Sequence, residues 1–288
     1  DISEIYPQSG GIMTVIAMTR EIGARGSDVA AGLAERLGLE IVHHELVEHD
    51  IAERTGLSED EVHRHLEGEA FLIERITLDK RRLSRYTAQE ILELAAKDNV
   101  LIRGWGATYL LRMIPHVVCV RICAPIAYRE RTLIERLSLS GPVAAQREIA
   151  HSDAAHNGMM QRLFGVDWQD PTLYAAVLNT ARIPVCECIE LIARLTKSIA
   201  FRDTPQSRQV LSDQLVRERV RVALDRRFGS SALHSGMDAH VRDGSVLLIG
   251  ATTDEQLIVE AVRCAQGIEG VTAVESQIRH IAFVPHDS

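Results

Sequence analysis

Short, wholly apolar runs alternate with longer amphipathic stretches over the first two thirds of the chain. Residues 14–18 (TVIAM) form one such run, the pattern of a parallel strand buried on both faces. After a glycine-rich stretch, Ser27-Asp28 offers N-cap chemistry for a helix that reaches Leu37 and is closed by Gly38. Residues 39–42 then predict a second strand. A strand, loop, helix and strand in that order imply a right-handed crossover in an α/β sheet. Residues 44–96 are helical and charged, with a break at Thr55-Gly-Leu-Ser58 and a capping box at Ser58-Glu-Asp-Glu61. Strands are predicted at 100–103 and 117–123, the second stopped by Ala124-Pro125. An arginine-rich helix follows over 126–139 and ends at Ser140-Gly-Pro142; a further helix spans 143–163. A late strand at 174–180 and a helix at 185–200 complete the pattern.

The rhythm changes beyond residue 200. Residues 201–209 are polar, contain Pro205, and are expected to be a linker. A charged amphipathic helix over 210–228 leads to two alternating runs, 237–242 and 245–249, separated by Asp243-Gly244. An Asp-Gly between alternating runs is a strong hairpin signal. A helix at 254–266 and a strand at 271–278 finish an α-β-β-α-β module. The expectation is two domains, 1–204 and 210–288, which a length of 288 residues accommodates.

Composition narrows the function classes. The formal net charge of −8 argues against a general nucleic-acid binder, which needs a cationic surface to release counterions. Arg nonetheless far outnumbers Lys, and Arg is the better bidentate partner for phosphate. The five cysteines show no zinc-finger spacing, so free thiols and a reducing, cytoplasmic setting are expected. No apolar run approaches the roughly 18–20 residues that cross a bilayer. In His44-Glu-Leu-Val-Glu-His49 the place four residues after the first His holds Glu48, so the zinc-protease helix spacing fails and no metal site is expected. Trp168 is expected to anchor the core beneath a loop, with base stacking as its other use. Lys80-Arg81-Arg82 is expected to be a solvated helix face.

The candidate chemistry lies in Thr19-Arg-Glu-Ile-Gly-Ala-Arg-Gly-Ser27. A glycine-rich turn between a strand and a helix aims several backbone N–H groups at one point, where the helix N-terminus adds partial positive charge. Gly23 and Gly26 suit that role because phosphate must approach the backbone closely.

The segment from Val15 to Ala30 resembles the opening of the cytidylate-kinase-like family, in which a strand leads into S-R-E-x-G-S-G-G. The resemblance continues at Ala34-Glu-Arg-Leu-Gly38, His44-Glu-Leu-Val47, Gly104-x-Gly-Ala-x-Tyr-Leu-Leu111 and Ala124-Pro125 with Arg129 and Arg131. It runs on through Phe164-Gly-Val-Asp-Trp-Gln-Asp-Pro171 to Leu178-Asn-Thr180, and covers roughly residues 13–200. It implies a three-layer P-loop fold, a parallel sheet flanked by helices. The implied reaction is γ-phosphoryl transfer from ATP, with Mg²⁺, to a nucleoside monophosphate such as CMP. On the matched positions Arg20, Gly23, Ala24, Arg25, Gly26, Ser27 and Asp28 would cradle the donor phosphates. Arg129 and Arg131, with Arg136, would lie on a lid, and Asp153 at its far side in the family's D-x-x-R element. Gly104, Trp105 and Gly106 would face the acceptor, and Asn179-Thr180 the donor base or the sheet end.

Departures from the family pattern accompany these matches. Gly26 stands where ordinary phosphate loops carry Lys, a loss the family shares; Arg25 replaces a glycine and either restores a cation or deforms the loop. Ser27 takes the place of a basic residue. The acceptor-side G-R-G reads Gly104-Trp105-Gly106, and the D-x-x-R arginine is His156. Each lost arginine costs on the order of 10³-fold in rate, by analogy with arginine fingers. A nucleotide-binding sensor without catalysis is therefore the alternative to a kinase.

Residues 210–280 resemble a BON domain, on Val216–Leu224, on Val241-Arg-Asp-Gly-Ser-Val-Leu-Leu-Ile-Gly250 and on Gly270-Val-Thr-Ala-Val274. That resemblance implies a small α+β (αββαβ) module for ligand or phospholipid-surface recognition, without catalytic residues. Docking or dimerisation is the competing use, which makes a homo-oligomer one expectation. No basic amphipathic face suited to an anionic membrane is visible.

Overall fold

The structure is a computed structural model, and it describes residues 14–42, 80–104, 106–137, 141–229 and 236–281. Five parallel strands, β1 (Val15–Arg20), β2 (Glu40–Val42), β3 (Val100–Arg103), β4 (Val117–Cys123) and β5 (Ala176–Asn179), form a sheet in the order β2-β3-β1-β4-β5. Successive side chains of β1 serve opposite cores, which is why its sequence is a continuous apolar run. Val15 and Ala17 face α2 (Lys80–Ala96), α3 (Ala107–Leu111) and α5 (Pro142–Phe164). Ile16 and Met18 face α1 (Gly26–Leu37) and α6 (Val185–Thr196). The helix α4 (Ile126–Leu137) packs along α5. The chain leaves β1 toward β2 on one side, and later steps over β1 from β3 to β4 on the other. Ligands of open α/β sheets bind where crossovers part in this way, at the carboxyl ends of the strands.

Three more strands, β6 (Asp238–Arg242), β7 (Ser245–Thr252) and β8 (Ala273–His280), make a separate sheet with α7 (Pro205–Phe228) and α8 (Glu255–Gln266). The pairs are antiparallel for β6–β7 and parallel for β7–β8. The hairpin falls at Asp243-Gly244, where both residues have positive φ, 51° and 74°. That is the type I′ requirement the Asp-Gly signal rests on. This α-β-β-α-β unit is the one the residue pattern predicts.

The expected linker at 201–209 is corrected by the structure. Ile199–Phe201 is a 3₁₀ turn, and α7 already begins at Pro205. The polar residues there are a helix start: Thr204 and Ser207 cap each other reciprocally, and Pro205 occupies the first helical position. Leu211 and Leu215 of α7 are buried in the core of the five-stranded unit, against α2. One face later, Val216, Val220 and Leu224 enter the core of the small sheet. A buried ion pair, Arg85–Asp225 at 2.5 Å, and Arg226 Nε donating to the Tyr86 hydroxyl at 2.9 Å fasten α7 to α2. Among the described residues no helix is long and apolar enough to cross a membrane.

Because α7 belongs to both cores, Leu211→Ala in the full chain is expected to lower unfolding stability by about 2–4 kcal/mol, as for other buried leucines. Chemical denaturation followed by circular dichroism measures it. An unchanged midpoint would place Leu211 outside the core.

Candidate active site

Local chemistry at the end of β1 explains the loop. The N–H of Glu21 donates to the Ile122 carbonyl (3.0 Å), continuing the sheet, and the N–H of Ala24 returns to the Glu21 carbonyl (3.1 Å). Gly23 has φ 78°, and Arg25 sits in the left-handed region at φ 59°. The expected cap at Ser27-Asp28 is corrected: α1 begins at Gly26, with Arg25 at the cap position and no side chain bonded to the first turn. Asp28 is drawn instead to Arg25 (2.8 Å) and to Arg136 of α4, whose hydrogen bonds hold its carboxyl below the usual range. The N–H groups of Gly23, Arg25, Gly26 and Ser27 thus have no hydrogen-bond partner among the described residues. Adjacent open amides at a helix N-terminus form a concavity for an anion. Both glycines let other parts of the protein pack closely against the loop. A Cβ at Gly23 would lie 2.7 Å from the Arg129 carbonyl oxygen, and one at Gly26 would lie 2.7 Å from Arg20 Cβ.

The loop carbonyls are held from behind. Arg129 Nε donates to the Ile22 carbonyl (2.7 Å), and its other two nitrogens grip Asp153 bidentately at 2.9 and 2.7 Å. The Thr180 hydroxyl, just past β5, donates to the Ala24 carbonyl at 2.8 Å. Glu21 accepts from Arg121 (2.6 Å) and from the Ala124 N–H (3.0 Å), and lies 3.5 Å from Arg129. Arg121 also donates to the Gln169 carbonyl at 3.0 Å and lies over the Trp168 ring. Trp168 is 1% exposed, a core anchor under its loop.

The sequence-predicted residues separate into distinct places. Arg129 and Asp153 meet each other, and Arg129 is only 3% exposed. Arg131 is exposed on α4 and lines an outer groove of about 320 Å³ with Arg25, Tyr128, Thr132, Glu135 and Arg136. Gly104 and Gly106 have positive φ (84° and 70°), and the Gly104 N–H donates to the Met18 carbonyl at 3.1 Å, which puts this turn beside the end of β1. A Cβ at Gly106 would strike the Phe164 ring at 2.4 Å. Trp105 and the His44–His49 motif lie outside the described residues, and of Lys80-Arg81-Arg82 only the helical backbone is described. His156 stacks on Trp168 (centroids 4.1 Å apart), with Nε2 3.5 Å from the Thr19 hydroxyl. Burial, aided by the nearby charges of Arg121 and Arg20, depresses its pKa to about 4, so it is neutral at pH 7. All five cysteines are free thiols, and no metal-holding group of side chains occurs among the described residues. Glu21 and Arg121 were not foreseen as site residues. The one signal for them was a lone arginine in the apolar strand 117–123, which must find an acid when buried.

A profile of the cytidylate kinase-like family matches residues 15–182, which include the loop, the Arg129–Asp153 pair and the Gly104–Gly106 turn. The chain belongs to the cytidylate kinase-like family. A BON domain profile matches residues 212–281. The chain is similar to a protein named cytidylate kinase from Pyrobaculum aerophilum, 25% identical over 192 residues, covering 66% of this chain and 97% of that one. It is similar to another of that name from Natronomonas pharaonis, 27% identical over 175 residues, covering 59% and 82%. Among solved structures, an uncharacterized protein from Eubacterium ventriosum superposes with a TM-score of 0.51 at 18% identity, covering 64% of this chain and 99% of that one. That likeness concerns the fold. In this cytidylate kinase-like chain the family match stops before α7, and the BON match begins inside it.

The neutral His156 sets a pH dependence. Its folded pKa of about 4 lies below the ordinary histidine value of roughly 6.5, so the unfolded chain binds the extra proton between them. Stability is therefore full above about pH 6.5 and falls as pH drops toward 4, by on the order of 2–3 kcal/mol from this group. Burial shifts His116 in the same direction. His156→Gln is expected to flatten, without abolishing, the loss of Tm between pH 6.5 and 4; an identical pH profile would refute it.

Proposed function

We propose that this chain is an ATP-dependent nucleoside-monophosphate kinase with CMP-like acceptors. The observation that carries this reading is the set of open amides at Gly23, Arg25, Gly26 and Ser27, gathered at the N-terminus of α1. The loop binds the donor phosphates of ATP, and the Gly104–Gly106 turn beside it borders the acceptor. An oxygen of the acceptor monophosphate attacks the γ-phosphorus. A new P–O bond forms as the bond to the β–γ bridging oxygen breaks, and the electron pair leaves with ADP. The attacking oxygen is already anionic, so no general base is required, and catalysis consists of positioning and charge neutralisation. Mg²⁺ neutralises phosphate charge when bound. The residues fit it in part: Ser27, exposed on the first turn of α1, would be the protein hydroxyl that holds it. Arg129 and Asp153 act by fixing the loop, and Arg131, Arg136 and Arg25 offer cations on the lid side. The C-terminal unit is a binding module for a ligand or partner. It stands in a cytoplasmic protein, a setting that five free thiols suit.

One observation favours a second reading. Arg129 is committed to Asp153, and His156 is neutral where the family pattern has arginine, so two charges that transfer would use are withdrawn. A nucleotide-binding sensor reporting through the BON unit would need neither. Transfer of labelled γ-phosphate from ATP to a panel of nucleoside monophosphates separates the two. Pyrimidine monophosphates are expected as the best acceptors. Micromolar ATP binding by calorimetry with no product on any acceptor would overturn the kinase reading and leave the sensor.

A further inference from the structure

Strand β8 pairs with β7 along one side, and among the described residues no strand pairs with its other edge. We infer that a second copy of this chain pairs there. Two β8 strands meet antiparallel across a two-fold axis at Gln277 and join two three-stranded sheets into one of six strands. The homo-oligomer expected from the residue pattern thereby acquires a surface and a register, and neither rests on the nucleotide reading.

The two margins of the small sheet differ. β6 lies against α7, and the Asp238 side chain accepts the Ala239 N–H at 2.8 Å. β8 runs for eight residues without proline, and its register with β7 is unbroken by any bulge. That register also fixes which backbone groups face outward. The Ile281 N–H donates to the Thr252 carbonyl at 2.8 Å, so odd-numbered residues turn their N–H and C=O toward β7. Val274, Ser276, Ile278 and His280 therefore turn theirs to the free edge. In keeping, the Ile278 N–H is met by the Ser276 hydroxyl, at 3.3 Å. Side chains alternate likewise: Glu275, Gln277 and Arg279 are exposed on the open face, while Val274 and Ile278 belong to the helix-covered core.

Charge then selects one register. Edge-facing residues must stand opposite edge-facing residues, which leaves only registers centred on a single residue. Centring on Glu275 or on Arg279 sets like charges face to face. Centring on Ser276 or on Ile278 leaves Arg279 opposite Ala273 or Gln277. Centring on Gln277 sets Glu275 opposite Arg279 of the partner subunit, and does so twice. In that register Ser276 and Ile278 exchange both main-chain bonds across the axis, as do Val274 and His280, so every edge-facing group is paired. The Glu275–Arg279 pairs fall at the positions without main-chain bonds, where facing side chains lie closest. Both charges are available for this. Glu275 meets only the Gln277 amide, at 3.3 Å, and Arg279 has no acidic partner among the described residues. At the strand end Ile281, 52% exposed, would face Ala273 of the partner subunit.

Sedimentation velocity of the full chain over a micromolar dilution series tests this. Two strand edges make a small interface, so a monomer–dimer equilibrium with a Kd on the order of 10 μM is expected. Glu275→Arg and Arg279→Glu are each expected to weaken it by about 10- to 30-fold, because both symmetry-related pairs become like-charged. The two substitutions in one chain are expected to restore the parent equilibrium. An equimolar mixture of the two single variants is expected to form a heterodimer as tight as the parent dimer, since each then faces its opposite charge. Ser276→Pro, which deletes an edge-facing N–H, is expected to be monomeric with an unchanged circular dichroism spectrum. A parent that stays monomeric throughout overturns the inference and leaves the edge to a different strand. A dimer that both single swaps leave intact overturns it too, as does a mixture of dissociated single variants that fails to associate. Should Ser276→Pro not fold, the charge swaps decide alone, because both lie at exposed positions.

Discussion

The bidentate grip of Arg129 on Asp153, extended through Glu21 to Arg121, is the interaction on which the site depends. A charge buried as deeply as that of Arg129 is tolerable only when fully paired and hydrogen-bonded. The pairing joins four separate elements: the loop after β1, strand β4, helix α4 and helix α5. Each arginine also ties down a backbone carbonyl, Ile22 or Gln169. With carbonyls drawn backward, the amides of the loop are left facing forward. The left-handed Arg25, which costs on the order of 1 kcal/mol for a residue with a side chain, persists because its neighbours are fixed in this way. The open amides are thus a by-product of how the protein satisfies its own charges.

Arginine consequently does two kinds of work around one loop. Arg121 and Arg129 face inward and act as struts, whereas Arg25, Arg131 and Arg136 line the outer groove. His156 belongs with the struts. Stacked on Trp168 and held neutral, it fills the position as a flat wall without adding a third charge beside Arg20 and Arg121.

Much of the architecture was legible in the residues. The apolar runs of β1 and β4 announced strands buried on both faces, and Asp243-Gly244 announced its hairpin, because both are consequences of local geometry. The glycine loop was legible for the same reason. Its supporting network was not, since Glu21, Arg121, Arg129 and Asp153 are far apart in the chain and only the crossovers unite them. The role of Gly26 was half legible: its lack of a side chain could be read, but what occupies the vacated space comes from a strand that side-chain alternation turns toward it. The polar stretch 201–209 misled because capping chemistry and linker composition use the same residues.

The shared helix α7 has a consequence for how the protein is made. Its 24 residues place Leu211 and Leu215 in one core and Val216, Val220 and Leu224 in the next. During synthesis the five-stranded sheet is complete in sequence before its last core side chains, Leu211 and Leu215, are added. The apolar face of α2 waits, uncovered, until α7 arrives, and the helix then carries the second core's first layer already in register. The two units are therefore expected to assemble vectorially, the second templated on the first, and not as independently folding beads on a string.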